Sequence, residues 1–384
     1  MRRAGGENGY AMAKGKGKSK RRRRGWGQRY AAGEDVDDAA ASKAKFAPRA
    51  VKLPAHRPEA PQANLDELPK AEGMVVGLFP GGAAARVGGQ VLLCGIAKTF
   101  RAPEGTSALA VGDVATIALA AEHHDAAAHD KDRADGMVLA RAPRRSALCR
   151  PQVTSGKHRD EYESQTIEKI IVANMDAVLI VASTREPPLR PAPIDRFLIV
   201  AERGELAPIL AVSKTDLAAP DEQVLGVFRG LGVPIYPCSA RTREGLEALA
   251  AAMAGKQVVL AGASGVGKSA LVNALVPGAG AATREIRRKD QRGRHTTSAA
   301  VVYELPGGGL LVDTPGVREI GIHLTAAELP WYFPEFEQRM NDCRFRNCTH
   351  THEPGCAVQA AVETGEIPAR RYESYLRILD SLDG

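Results

Sequence analysis

The stretch Gly262-Ala263-Ser264-Gly265-Val266-Gly267-Lys268-Ser269 combines glycines, a lysine and a hydroxyl in a spacing suited to binding phosphate. Glycines let backbone N–H groups converge on phosphate oxygens, and the positive end of a following helix adds to the attraction. Lys268 would neutralise the outer phosphates during catalysis, and Ser269 would ligate magnesium. The apolar run 257–261 predicts a buried strand before the loop, and residues 270–275 predict a helix after it. We therefore assign Gly262 to Ala270 to a nucleoside triphosphate bound with magnesium.

A second polar set follows two predicted strands earlier in the chain, 208–212 and 232–237. The first strand leads into Ser213-Lys214-Thr215-Asp216, and the second leads to Cys238-Ser239-Ala240. A carboxylate at Asp216 accepts hydrogen bonds from the ring N–H and the amino group of guanine, a pair that adenine lacks. The Lys214 stem would pack on the base, and the small residues Ser239 and Ala240 would let backbone N–H groups reach the guanine carbonyl. This set predicts selectivity for GTP, and we expect Cys238 to be a packed thiol.

Two segments after the phosphate loop have residues suited to sensing a γ-phosphate. Thr296 and Thr297 follow shortly after a stretch, 284–294, in which six of eleven residues are basic. A threonine hydroxyl there would complete the magnesium coordination, as in a switch loop. The predicted strand 309–312 then leads into Asp313-Thr314-Pro315-Gly316. We expect Asp313 to hold magnesium, and the Gly316 N–H to contact the γ-phosphate.

Near the C-terminal end, three cysteines and a histidine have the spacing C-x4-C-x-H-x5-C, formed by Cys343, Cys348, His350 and Cys356. Three thiolates and an imidazole close a tetrahedral zinc site that leaves no position for a substrate water. Such a site folds a short segment that lacks a core of its own. We therefore predict one structural zinc ion, with His352 as an alternative ligand to His350.

The net charge of +7 is distributed unevenly along the 384 residues. Residues 1–30 hold eleven Lys or Arg against one Glu, so the remaining residues carry a net charge of −3. We expect a basic disordered arm that tethers nucleic acid, or a solubilising tail. No apolar run approaches the ~20 residues of a membrane span. The cysteine usage and the absence of an apolar segment after the basic residues favour a cytoplasmic protein.

Short strands predicted at 74–79, 89–97, 111–119 and 136–141 favour an OB-fold β-barrel. Strands then alternate with helices, which is typical of a parallel α/β domain. The sequence thus predicts a multidomain protein. Its parts are an arm and linker (1–70), an OB-fold barrel (71–152), a central α/β P-loop GTPase domain (153–327) and a C-terminal zinc-binding domain with a closing helix (328–384).

The order of the motifs is unusual, because the guanine-specifying residues precede the phosphate loop and the switches. In this order, with a barrel before and a Cys/His cluster after, the chain resembles the circularly permuted ribosome small-subunit-dependent GTPase A (RsgA/YjeQ) family over residues 72–384. The resemblance implies a monomeric cytoplasmic factor that binds the small ribosomal subunit and its rRNA late in maturation, hydrolyses GTP when the subunit stimulates it, and leaves.

Two positions depart from the usual GTPase pattern. Ser213 stands where Asn is usual, and its shorter side chain would lose a contact with the purine. Val317 stands where many GTPases carry a Gln that orients water, so we expect slow intrinsic hydrolysis. His295, or a group supplied by the ribosome, would then position the nucleophile. The alternatives are an RNA-binding assembly factor whose nucleotide is only structural, and a P-loop ATPase or kinase, against which Asp216 and the switch segments argue.

Overall fold

The structure, a computed structural model, describes residues 64–100, 109–120, 134–153, 166–279, 300–314 and 324–382, together with residues 317 and 322. All of these residues belong to one compact unit, Ser42–Gly384. His295, Thr296, Thr297 and Gly316 lie outside the described residues, as does the basic arm. None of the helices in the described ranges has the length and apolar character that a membrane span requires.

The N-terminal part is a closed barrel of five strands. These are β1 (Lys70–Phe79), β2 (Gly82–Val87), β3 (Gln90–Ile96), β4 (Val114–Leu119) and β5 (Gly136–Arg141). Their order is β1-β2-β3-β5-β4, with β3 and β5 parallel and the other pairs antiparallel. Closure leaves no free sheet edge, and the barrel prediction is confirmed. The sequence reading missed β2, whose alanine-rich composition carries no strand signal.

An antiparallel hairpin, β6 (Ala147–Val153) and β7 (Thr166–Ala173), leads from the barrel into a six-stranded sheet. The sheet consists of β8 (Ala177–Ser183), β9 (Ala207–Ser213), β10 (Ile235–Pro237), β11 (Gln257–Gly262), β12 (Val301–Glu304) and β13 (Leu310–Asp313). Its order is β10-β9-β8-β11-β13-β12, and only β12 runs antiparallel. The strands β9 and β10 lie on one side of β8, and the later strands β11, β13 and β12 lie on its other side. The strand order therefore reverses between β8 and β11. Open α/β sheets bind ligands at the carboxyl ends of the strands at such a point.

The sheet is covered on both faces, which explains why β8 is buried along its whole length and apolar from Ala177 to Ala182. Successive side chains alternate between faces, so Val178 and Ile180 enter one core while Leu179 and Val181 enter the other. The first core is completed by α1 (Pro191–Arg203) and α2 (Glu222–Gly230). The second is completed by α3 (Leu246–Met253) and α4 (Lys268–Leu275).

The C-terminal part contains a short 3-10 helix, Leu329–Tyr332, and the helices α5 (Pro334–Met340), α6 (Ala357–Glu363) and α7 (Ala369–Asp380). Their core is built on Phe333, Phe336 and Tyr375, which are fully buried, and Ile199 of α1 packs into the same cluster. The sequence reading predicted only the last of these helices. The division of the chain at residues 70, 152 and 327 stays a prediction.

Candidate functional site

The phosphate loop connects β11 to α4 as the sequence predicts, and its glycines have conformations that other residues avoid. Gly262, Gly265 and Gly267 have φ angles of 141°, 78° and 88°. A Cβ atom at Gly262 would lie 2.5 Å from the carbonyl oxygen of Val181 on β8, closer than packed atoms allow. The loop can therefore leave the strand only through glycine, and this tight exit turns its backbone toward the start of α4.

Lys268, the first residue of α4, is 6% exposed. Its Nζ atom donates a hydrogen bond to the carbonyl oxygen of Gly262 at 2.8 Å and another to that of Ala263. These bonds hold the ammonium group inside the loop, where an anion would meet it. Ser269 follows as an exposed residue at the N-terminal turn of the helix.

Ser213 joins the guanine-motif segment to the phosphate loop. The residue is 3% exposed, and its hydroxyl lies 3.0 Å from the carbonyl oxygen of Ala182 and 2.6 Å from that of Val266. Lys214 reaches the same loop, since its Nζ donates to the carbonyl oxygens of Gly265 (2.8 Å) and Glu186. The short serine thus connects the end of β9 to the phosphate loop.

Asp216 accepts hydrogen bonds on both carboxylate oxygens. The hydroxyl of Ser239 donates to Oδ1 at 2.5 Å, and Nε of Arg241 donates to Oδ2 at 2.7 Å. These bonds, the one from Ser239 first, hold the pKa of Asp216 below its ordinary value. The carboxylate is therefore ionised at neutral pH, as an acceptor of two guanine N–H groups must be.

Arg241 is the partner of Asp216 that the sequence reading missed. Its side chain is 71% exposed, whereas that of Asp216 is only 8% exposed. The signal in the sequence that could have indicated this contact is the positive charge directly after Ser239 and Ala240. The hydroxyl of Ser239 also accepts the backbone N–H groups of Arg241 (3.2 Å) and Thr242 (3.1 Å), which shapes the turn. Cys238 is fully buried, and burial raises the pKa of its thiol to about 11, so it is a packed group as expected.

Strand β13 lies next to β11, with Val259 paired to Val312. Asp313 therefore ends the neighbouring parallel strand at the edge that carries the phosphate loop. Val317 is fully buried, so this residue offers neither a polar group nor an exposed surface to a water molecule. The assignments of Asp313 and Ser269 to magnesium stay predictions.

The Cys/His cluster has the geometry of a metal site. Nδ1 of His350 lies 3.6 Å from Sγ of Cys343 and 3.5 Å from Sγ of Cys356, and these two sulfurs are 3.9 Å apart. With Cys348, all four ligand atoms lie within 4.8 Å of one another. A tetrahedron with Zn–S bonds of about 2.3 Å has edges of about 3.8 Å, so the residues fit zinc. Burial lowers the pKa of His350, which favours the neutral imidazole that a metal needs.

The cluster includes His350 and leaves out His352. His352 is exposed, and its Nδ1 is hydrogen-bonded to Oγ1 of Thr351 at 2.8 Å. The carbonyl oxygen of His350 accepts a bond from the Tyr372 hydroxyl at 2.6 Å, which ties the loop to α7. Glu353 accepts the backbone N–H groups of Thr349, Thr351 and His352 at 2.7, 3.0 and 3.2 Å. Hydrogen bonds that do not use the four ligand atoms thus hold the turn.

The sequence comparisons and the structure comparisons with known proteins agree with one another. Residues 141–323 match the family model described as RsgA GTPase. The chain is 39% identical over 283 residues to the small ribosomal subunit biogenesis GTPase RsgA of Gemmatimonas aurantiaca, covering 73% of this chain and 86% of that protein. It is 38% identical to the protein of the same name from Shewanella oneidensis over 301 residues, which is 77% of this chain and 78% of the relative.

Two solved structures share the fold. YjeQ from Thermotoga maritima superposes with a TM-score of 0.60 at 30% identity, covering 82% of this chain and 99% of that one. YloQ, described as a circularly permuted GTPase, superposes with a TM-score of 0.57 at 26% identity, covering 82% of this chain and 96% of the other.

Proposed function

The chain belongs to the RsgA GTPase family, and we propose that it hydrolyses GTP as a maturation factor of the small ribosomal subunit. The observation that carries this proposal is the joining of two motifs by Ser213. Its hydroxyl lies within hydrogen-bond distance of the phosphate loop, and three residues later Asp216 presents an ionised carboxylate. A base held by Asp216 and phosphates held by the loop would therefore belong to one nucleotide.

Each residue of the site has a definite task in the proposed reaction. Asp216 selects guanine, the backbone of Gly262 to Ala270 receives the phosphates, and Lys268 stabilises charge that develops on the β- and γ-phosphate oxygens. Ser269 and Asp313, with Thr296 or Thr297, would hold magnesium. The metal would neutralise phosphate charge and fix the γ-phosphate for attack by water.

We expect intrinsic hydrolysis to be slow, because Val317 cannot orient a water molecule. His295 or a group from the ribosome is proposed to do so in the assembled complex. If the His295→Ala variant retains full turnover in the presence of the subunit, the histidine has no such role and the group comes from the ribosome. Release of Gly316 from the γ-phosphate after hydrolysis would then trigger dissociation from the subunit, which is expected to occur in the cytoplasm.

The four-residue cluster is proposed to hold one structural zinc ion through Cys343, Cys348, His350 and Cys356. With all four tetrahedral positions taken by protein atoms, zinc would supply folding energy and not a catalytic water. A protein that has lost its zinc but still has an intact nucleotide site should therefore retain GTP turnover.

The deciding experiment measures GTP and ATP turnover with and without purified small ribosomal subunits. We expect GTP turnover that rises strongly with subunits, and no comparable ATP turnover. The matched variant is Asp216→Asn, whose amide presents a donor to the oxygen that xanthine carries in place of the guanine amino group. It should lose activity with GTP and gain activity with xanthosine triphosphate.

Turnover that the subunits leave unchanged would contradict the ribosomal part of the proposal. GTP binding without turnover under any condition would favour an RNA-binding factor with a structural nucleotide. If the Asp216→Asn variant retains its preference for GTP, the guanine assignment is wrong.

A further inference from the structure

The loop between Cys343 and Cys348 presents an aromatic ring between two cations. Phe345 is 40% exposed, and its neighbours Arg344 and Arg346 are exposed as well. The guanidinium carbon of Arg344 lies over the Phe345 ring, 5.5 Å from its centroid. Residues 344–346 are named the Arg-Phe-Arg tip.

Backbone hydrogen bonds constrain the tip at both ends. The N–H of Arg344 donates to the carbonyl oxygen of Gly355 at 3.2 Å, and the N–H of Cys348 donates to that of Phe345 at 3.3 Å. Cys343 and Cys348, which flank the loop, belong to the four-residue cluster. An aromatic side chain on a turn that is already ordered loses little conformational entropy when a ligand covers it.

The arginines of the tip form no salt bridge with any of the described residues. Two other exposed arginines of the same region do, since Arg339 bonds to Glu366 at 2.9 Å through Nε and Arg377 lies 3.6 Å from Glu373. The two guanidinium groups of the tip therefore keep their donors for an external anion. Guanidinium groups suit phosphate because their planar fork can donate two parallel hydrogen bonds.

We propose that the Arg-Phe-Arg tip binds an unpaired nucleotide of ribosomal RNA, with its base on Phe345 and its phosphates paired to Arg344 and Arg346. The inference rests on the proposed function, because the small subunit supplies the RNA. Every base has a flat face that stacks on an aromatic ring, and phosphates flank every base. Two guanidinium groups, one on each side of the ring and without a carboxylate partner among the described residues, match a base that has a phosphate on each side, and we therefore take nucleic acid as the partner.

The test measures the affinity of the full-length chain for purified small subunits in the presence of a non-hydrolysable GTP analogue. Base stacking on an aromatic ring accounts for about tenfold in affinity, so we expect Phe345→Ala to bind about tenfold more weakly. Phe345→Leu is the matched control, because it keeps apolar bulk without a π-face and should lose affinity similarly. Phe345→Trp should bind small subunits about as tightly as the unaltered chain, because it keeps an aromatic face. A variant lacking both arginines should show a smaller dependence of affinity on salt.

A photo-crosslinking side chain at position 345 then identifies the class of partner directly. We expect crosslinks to rRNA, and crosslinks only to a ribosomal protein would overturn the proposal. Equal affinities of Phe345→Leu and the unaltered chain would overturn it as well. The metal content of every variant is measured, so that loss of the fold is separated from loss of the contact.

The two proposals fail in different ways. If the unaltered chain neither binds subunits nor responds to them, the proposed function fails. If the unaltered chain binds and responds while the Phe345→Ala and double-arginine variants match it, only the tip proposal fails.

Discussion

Arg371 of α7 makes ion pairs with two carboxylates from other helices and thereby joins α7 to α1 and to α5. It donates to Asp195 on α1 and to Glu335 on α5, and its guanidinium lies 4.5 Å from the Phe333 ring. The side chains of Arg371, Asp195 and Glu335 are 5%, 0% and 12% exposed. One buried cation thus pairs with a buried carboxylate on α1 and with a largely buried carboxylate on α5 of its own C-terminal part.

Replacing Arg371 by methionine tests how much this arrangement contributes to stability. Methionine keeps an apolar stem of similar length, so packing against Phe333 is largely preserved. Both carboxylates would remain buried without a counter-charge, and breaking a buried pair in this way costs about 3–5 kcal/mol. Since whole domains are stable by about 5–15 kcal/mol, the variant should lose about a fifth or more of the stability of its C-terminal part.

The loss should depend on pH with a definite sign. Burial raises the pKa of Asp195, and the charge of Arg371 opposes that rise. Without Arg371 the folded-state pKa rises further above the unfolded value, so the folded state binds a proton more tightly than the unfolded chain. The deficit of the variant is therefore largest above the folded-state pKa, and it shrinks as the pH falls through that value.

Urea unfolding followed by Trp331 fluorescence measures this effect, in a Trp26→Phe background that leaves Trp331 as the one tryptophan. The control is Arg371→Met combined with Asp195→Asn, which removes one of the stranded charges and should be more stable than the single variant. A single variant within about 1 kcal/mol of the parent would refute the reasoning. A deficit that stays constant from neutral to acidic pH would refute it equally.

Three further predictions follow from the site and the barrel. Arg241→Ala removes a side chain that competes with guanine for the Asp216 carboxylate. Because exposed ion pairs contribute up to about 1 kcal/mol, the affinity for GDP at low salt should rise up to about fivefold. Arg241→Lys should have an intermediate affinity, and weaker GDP binding by Arg241→Ala would contradict the prediction. Gly112→Ala should lower the melting temperature strongly, because its Cβ would lie 1.9 Å from a carbonyl oxygen of β7. Gly232→Ala, which has a similar φ of 76° and no atom within 4 Å, should cost only about 1–2 kcal/mol of backbone strain, and equal melting temperatures would show that the clash is relieved. Cys356→Ser should abolish the stoichiometric zinc of the purified protein while GTP binding persists, and full zinc content would exclude Cys356 as a ligand.

Local chemistry made much of this protein predictable from its sequence. The phosphate loop, the strand before it and the helix after it are contiguous in the chain, so residue types alone indicate them. The permuted order of the motifs is a property of the chain, and the comparisons confirm the family that it indicates. The spacing of Cys343, Cys348 and Cys356 likewise placed the metal cluster, because its members lie within fourteen residues of one another.

Only the tertiary structure decided between His350 and His352, since both satisfy the spacing and only the folded turn directs one imidazole toward the sulfurs. The same holds for Arg371 and Asp195, which are 176 positions apart, and for Arg241 and Asp216. A salt bridge between distant residues depends on how strands and helices pack, and single charged residues carry no periodic signal of their partner. The sequence thus determined which groups are available for binding phosphate, guanine and metal, and packing determined which of them meet.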